Sequence, residues 1–150
     1  MPGFDLTQTV AAPQPAVFAA FTDFANAPKR IPDILRVEVL TPGPVGVGTA
    51  FKETRKMFGK ECTETMTVTA FEPGKLVELS AGSCGAVFTT RFTFEPDGGK
   101  TRVGVAFRST AVSLFAKLFT PLAFLMMGTM KKCIAGDVAK LGAAVEAPAA

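Results

Sequence analysis

The last long stretch of the chain, Ala111 to Val145, constrains the fold more than any other. It carries Leu114, Phe115, Leu118, Phe119, Leu122, Phe124, Leu125, Met126, Met127 and Met130, then a more polar tail from Lys131. No other segment is long and helix-prone enough to be a major helix. A membrane span needs ~20 mostly apolar residues. The longest uncharged run here, Leu118–Met130, is 13 residues, and extending it toward the N-terminus takes in Lys117. Thr120-Pro121 is a good N-cap and first-turn pair, which predicts either a short helix followed by a long one or a single kinked helix. Leu122, Met126, Thr129, Met130, Cys133, Asp137 and Leu141 keep helical spacing down one face. The stretch therefore reads as a helix laid against a core. Phe119, Phe124 and Met127 widen the apolar stripe beyond one face, and core, dimer interface and peripheral membrane contact stay open for them. Monomer and homodimer stay open with them.

The chain before this helix reads as strands and turns. Phe4, Leu6 and Val10 alternate with Asp5, Thr7 and Thr9, the pattern of a half-buried strand ended by Pro13 and Pro15. Ala16–Phe24 then reads as a short helix with Val17, Phe21 and Phe24 on one face. Ala27-Pro28 interrupts it, Lys29–Asp33 forms one more turn, and Ile34–Leu40 begins a second strand. Thr41–Gly48 is rich in glycine, but no helix follows it and it lacks the lysine of a phosphate loop, so it reads as a turn. Later strands are predicted over Lys75–Ala81, Ala86–Glu95 and Lys100–Ser109, separated by turns at Gly82–Gly85 and Pro96–Gly99. Phe88, Thr90, Phe92 and Phe94 share one face; Val103, Val105 and Phe107 share another. Strands first and a helix last argue for an α+β antiparallel layer fold, with the helix on one face of the sheet.

The hairpin of Thr49–Met57 and Lys60–Phe71 around Phe58-Gly59 is the most informative part. Its register pairs Arg55 with Cys62, Glu53 with Glu64, Phe51 with Met66 and Thr49 with Val68. One face then holds Phe51, Met57, Met66 and Val68 together with Glu53, Arg55 and Glu64. The other holds Lys52, Thr54, Lys56, Thr63, Thr65 and Thr67, a plain solvent face. Three ionisable groups thus share the inward face with apolar ones.

Composition excludes several functions. The chain has no histidine, tyrosine or tryptophan, which removes Ser-His and Cys-His nucleophiles and the usual proton shuttle at neutral pH. Catalysis would fall to carboxylates, Lys, Arg or Cys. Cys62, Cys84 and Cys133 are widely spaced and have no histidine to complete a metal set, so neither zinc nor another metal is expected. No other cofactor is expected either. Reduced thiols and an N-terminus without an apolar leader point to the cytoplasm. The 16 basic and 13 acidic residues are interspersed, without the clustered basic face that nucleic-acid binding requires. At 150 residues the chain suits one domain, able to bury roughly 68–70% of its unfolded surface. Residues 146–150 read as a disordered Ala-Pro tail.

Thr9-Val10-Ala11-Ala12-Pro13, followed by Val17-Phe18, resembles the opening of the START-like (SRPBCC) superfamily of polyketide cyclase/dehydrase and lipid-transport proteins. The resemblance continues through Gly46–Phe51, Thr65–Pro73, Phe92–Gly98 and the closing amphipathic helix, and so covers nearly the whole chain. It implies a helix-grip fold: about seven antiparallel strands curved around the long C-terminal helix, with two short helices after the first strand. It also implies an apolar cavity between sheet and helix, where members of the superfamily bind lipids, sterols, polyketides, plant hormones or quinones. The superfamily has no universal catalytic residues to carry over. Its aromatase/cyclases resemble this chain in fold, but the absence of His and Tyr here departs from their acid-base chemistry.

The leading expectation is a carrier or sensor for a small hydrophobic molecule, whether lipid, polyketide or quinone-like. Its cavity would be lined by Phe51, Glu53, Arg55, Glu64, Met66, Val68, Thr90, Phe92, Val105, Phe107, Leu122, Met126 and Met130. Glu53, Arg55 and Glu64 would orient a ligand head group, or else form a self-satisfied Arg–Glu pair. In the first case, replacing Arg55 by Met should weaken binding of an acidic lipid with little unfolding. The alternative is a cyclase or dehydratase with Glu53 or Glu64 as acid/base and Arg55 stabilising developing negative charge. The methionines read as core filling or as adaptable cavity lining, and Cys62 and Cys133 as inert buried thiols or cavity-lining ones. Asp137 is expected to be exposed or paired with Lys132 or Lys140.

Overall fold

A computed structural model of the chain describes residues 3–57, 59–83, 86–111 and 120–146; the side chains at 57, 83, 86, 111, 120–127, 129 and 130 lie outside that description. Seven strands form one antiparallel sheet: β1 (Gly3–Val10), β2 (Ile34–Val39), β3 (Ala50–Met57), β4 (Lys60–Glu72), β5 (Leu76–Ser83), β6 (Ala86–Asp97) and β7 (Lys100–Ala111). Their spatial order is β1-β7-β6-β5-β4-β3-β2. From β2 to β7 the strands form a meander, and β1 adds at the far edge beside β7. Between β1 and β2 lie α1 (Gln14–Thr22), a 3-10 turn (Phe24–Asn26) and α2 (Ala27–Arg30). The long helix α3 (Thr120–Glu146) closes the fold. This is the helix-grip architecture. Among the described residues no helix is long and apolar enough to cross a membrane.

Local chemistry explains the joints. Pro13 stands in extended conformation at the start of α1 with Pro15 in its first turn, where a missing N–H costs nothing. Pro28 sits in the first turn of α2; it opens a helix there instead of merely interrupting one. The β6–β7 connection is a two-residue turn. Asp97 pairs with Lys100, and Gly98 and Gly99 have φ of +57° and +86°. A type I′ turn needs positive φ at both positions, hence the Gly-Gly. The β3–β4 hairpin has the register expected from its sequence: Arg55 opposite Cys62, Glu53 opposite Glu64 and Phe51 opposite Met66. The Val68 N–H donates to the Thr49 carbonyl at 2.8 Å, which extends that ladder. Gly82 and Ser83, expected in a turn, instead continue β5, with Ser83 opposite Ala86. The whole connection is thereby shortened to positions 84 and 85. Register shifts at Leu35 in β2 and Thr69 in β4 mark bulges, which bend strands and increase their twist.

Alternation brings Val10, Phe51, Val68, Val77, Phe94, Val103 and Val105 into a buried cluster with Val17, Phe18 and Phe21 of α1 and Val138 of α3. Edge-on contacts of Phe18 and Phe21 with Phe94 hold α1 on the sheet at centroid separations of 5.2 and 5.3 Å. Long-range hydrogen bonds fix the layers. The Gln14 amide donates to the carbonyls of Gly74 (2.6 Å) and Phe94 (2.9 Å), and Gln8 of β1 donates to the Ala135 carbonyl of α3 (2.8 Å). The buried Thr101 hydroxyl donates to the Ala12 carbonyl at 2.8 Å. The solvent face expected for β3 and β4 holds for Lys52, Lys56, Thr63 and Thr65. Thr67 is half-buried, and Thr54 is buried, with its hydroxyl 2.8 Å from that of Thr63. A short hydroxyl can be covered by long neighbours and still keep a partner.

Candidate functional site

The core does not fill the space between the sheet and α3. A cavity of about 410 Å³ remains there, bounded by the inner faces of β3–β7, by the α1–β2 segment, and by α3 between Cys133 and Leu141. Its volume lies within the ~300–1,000 Å³ usual for small-molecule sites. Phe21 and Phe24 come from the short helical segment, Phe51 from β3, Phe88 and Phe92 from β6 and Phe107 from β7. The face-to-face stack of Phe24 on Phe51, with centroids 4.4 Å apart, links two of those walls.

Polar groups concentrate where β3 and β4 meet α3. Arg55 reaches across to the helix: its Nη2 donates to Asp137 Oδ2 at 2.9 Å and its Nη1 to Cys133 Sγ at 3.4 Å. The Arg55 and Asp137 side chains are only 13% and 22% exposed, so the pair is largely withdrawn from water. Burial pushes the Asp137 carboxyl above its usual range, more than the charge and hydrogen bond of Arg55 pull it back. Burial also works against the Arg55 charge, but Asp137 and Glu53 outweigh it and raise the guanidinium pKa further. Asp137 thus loses more in hydration than the pairing returns. Burial, with Asp137 beside it, pushes the Cys133 thiol upward, so it stays protonated. Glu53 stands two residues from Arg55 on the same face and opposite Glu64. Burial raises its carboxyl pKa; Arg55 opposes the rise, while Asp137 and Glu64 add to it. Among the described residues no donor is hydrogen-bonded to the Glu53 carboxylate, and the buried Arg55 Nε has no acceptor.

Of the residues expected to line a cavity, Phe51, Glu53, Arg55, Glu64, Met66, Thr90, Phe92 and Phe107 are brought together on this wall. Val68 and Val105 share their face but are sealed in the core cluster, at 1% and 3% exposure, instead of on the cavity surface. The side chains of Leu122, Met126 and Met130, like those of Phe124 and Met127, lie outside the described residues; so do Phe119 and Cys84 altogether. Two expectations are corrected. Asp137 is the partner of Arg55, whereas Lys140 approaches Asp33 at 4.0 Å. The Arg55–Glu pair weighed from sequence is therefore an Arg–Asp pair between sheet and helix. Cys62 is exposed at the hairpin end, while Cys133 is half-buried on the cavity wall.

Sequence reasoning did not assign the α1–β2 segment to the site, although Phe24, Ile31 and Ile34 form part of the wall. The available signal was the apolar face of that segment. Asp137 had a signal too: it shares a helical stripe with Cys133 and Leu141, and a cation facing inward from β3 requires an anion. Among the described residues no group of three or more His, Cys, Asp or Glu side chains is arranged to hold a metal ion.

Solved structures share this architecture at low sequence identity. The fold is similar to that of the Zhui aromatase/cyclase from Streptomyces sp. R1128, with a TM-score of 0.76 at 16% identity over 96% of this chain and 93% of that one. It is similar to a START superfamily protein from Mycobacterium smegmatis, with a TM-score of 0.73 at 17% identity over 91% and 93% of the two chains. Ara h 8.0201 gives a TM-score of 0.72 at 17% identity over 97% and 98%. No curated protein matches the chain by sequence. The family model for polyketide cyclase / dehydrase and lipid transport matches residues 1–146, and the chain belongs to that family.

Proposed function

We propose that the protein binds a small hydrophobic molecule with a polar end in the cavity between sheet and C-terminal helix, as a carrier or sensor. The observation that carries this reading is the cavity itself. A close-packed interior leaves few voids larger than a water molecule. Here about 410 Å³ stays open, walled mainly by phenylalanine and aliphatic side chains and with charged groups concentrated on one side. That combination of apolar lining and few orienting polar groups is what small-molecule sites require. Membership of a family described by polyketide cyclisation and lipid transport supports the same reading.

Native mass spectrometry of the purified chain, followed by organic extraction, tests it. A co-purifying hydrophobe, or saturable binding of the neutral dye Nile red, is the expected result. Absence of both would overturn the proposal.

Glu53 favours a second reading, in which the cavity carries out cyclase or dehydratase chemistry. A carboxyl whose pKa burial raises, without a hydrogen-bond donor among the described residues, is suited to proton transfer. Arg55 fits the expected role beside it poorly, because Asp137 already occupies it. Turnover of an enolisable polyketide-like substrate with a bell-shaped pH profile, lost in Glu53→Gln, would establish this reading. No turnover across such substrates would remove it.

A further inference from the structure

The charge balance of the cavity wall says more about the ligand than its shape does, given the cavity-binding reading above, on which this inference rests. Among the described residues four carboxylates line the cavity, from Asp23, Glu53, Glu64 and Asp137, against one guanidinium, that of Arg55. Two of the acids are already partnered. Asp23 accepts from Arg30 at 3.1 Å and from the Asn26 amide, and Asp137 accepts from Arg55 at 2.9 Å. Arg55 spends its remaining terminal nitrogen on Cys133. Glu53 and Glu64 are left, directly opposite each other on adjacent strands and both facing inward. Neither is hydrogen-bonded to a donor among the described residues, and neither is in an ion pair there. Like charges directly opposite on a β-ladder are destabilising; the charge of Arg55, two residues from Glu53, offsets part of that cost but supplies neither acid with a hydrogen bond.

An acidic head group would meet two carboxylates without hydrogen-bond donors and a guanidinium whose terminal nitrogens already serve Asp137 and Cys133, with only the buried Nε left without an acceptor. A cation would meet both carboxylates, with the apolar Phe51 two residues from Glu53 on the same face of β3. The Cys133 thiol, held in its neutral form, adds no charge to the balance. We propose that the cavity selects a hydrophobic amine, an apolar body bearing a protonated nitrogen that seats against Glu53 and Glu64. The expectation of an acidic lipid held by Arg55 is thereby replaced, because Arg55 already has its anion.

Three probes of one shape test this: 4-phenylbutylamine, 4-phenylbutanol and 4-phenylbutyrate, each displacing Nile red from the full chain at pH 7 and moderate salt. The amine is expected to bind about tenfold or more tighter than the carboxylate, a difference of about 1.4 kcal/mol, with the alcohol between them. In the Glu53→Gln, Glu64→Gln double variant the amine's advantage over the alcohol should vanish. Removing two opposed like charges relieves repulsion, and a melting curve verifies that the variant is folded. Equal affinity for all three probes, a preference for the carboxylate, or an amine advantage that survives the double substitution would each overturn the inference while leaving cavity binding intact. Displacement by none of the three, with Nile red bound, overturns it as well. Failure of Nile red itself to bind would instead overturn the cavity-binding reading and this inference with it.

Discussion

Arg55 offers five N–H donors. The fold supplies acceptors to both terminal nitrogens, while Nε is buried without one among the described residues. Removing Asp137 would leave that cation without its anion in a site where its side chain is 13% exposed. Asp137→Asn is therefore expected to cost about 2–3 kcal/mol, and Arg55→Met a similar amount, because each strands the other partner. The double variant Arg55→Met, Asp137→Leu should recover most of the loss. Urea midpoints at constant m-value measure all three; a double variant as unstable as the sum of the singles would contradict the pairing. Glu53 gives the opposite sign. Its folded pKa is raised above the ordinary 4.5, so the native state holds its proton more tightly than the unfolded chain does. Its contribution to stability is full below 4.5 and is lost as pH rises through the folded value. Glu53→Gln should thus be more stable than the parent at pH 7, with the advantage shrinking to nothing under acid. A titration of melting temperature against pH would show it. Alternation alone made the inward orientation of Glu53, Arg55 and Glu64 legible. The partner of Arg55 was not legible, because Asp137 lies 82 positions away on a helix whose rotation only tertiary packing sets.

At the scale of elements, the sheet was legible where turn chemistry and alternation agree. Met57↔Lys60 and Asp97↔Lys100 close two-residue hairpins, and each fixes the facing along its strands, in β4 as far as the bulge at Thr69. Leu35 and Thr69 were not legible as bulges, since neither carries a glycine or any other local mark of the extra residue. Nor was the buried state of Thr54, which depends on what covers it. α3 shows how packing overrides propensity. Its Gly136 and Gly142 both weaken the helix, but they differ in surroundings. A Cβ at Gly136 would meet nothing within 4 Å, whereas one at Gly142 would come to 3.0 Å from Val10 Cγ2. Gly136→Ala should accordingly stabilise the protein by about 0.5–1 kcal/mol through helix propensity. Gly142→Ala should gain less or lose, because Val10, 3% exposed in the core, has little room to yield. Thermal melts of the two variants side by side would separate the effects. Equal stabilisation would mean that Val10 yields freely to the added methyl.

At the scale of the whole molecule, the cavity and the core compete for the same apolar side chains. Phe18, Val68, Val77, Phe94, Val103 and Val138 close one part of the space between sheet and helices. Phe21, Phe24, Phe51, Phe92 and Phe107 stand around an opening that a chain optimised for stability alone would fill. Which inward residues join which group cannot be read from a strand's alternation. Val68 and Met66 share a face, yet one is sealed in the core and the other lines the cavity. The difference arises from where α1 and α3 cross the sheet. The proposed function therefore predicts that stability and binding trade against each other here. Ala81 lies opposite Phe88 on β5 with its methyl on the cavity wall. Ala81→Leu would project an isobutyl group into open space and bury apolar surface there. Cavity-filling changes of this kind commonly add about 0.5–2 kcal/mol, so the variant's melting temperature should rise. The same side chain occupies ligand volume, so Nile red affinity should fall about tenfold or more. A variant that gains stability and keeps its affinity would mean that the dye binds elsewhere. One that loses stability would mean that the space beside Ala81 is already closed.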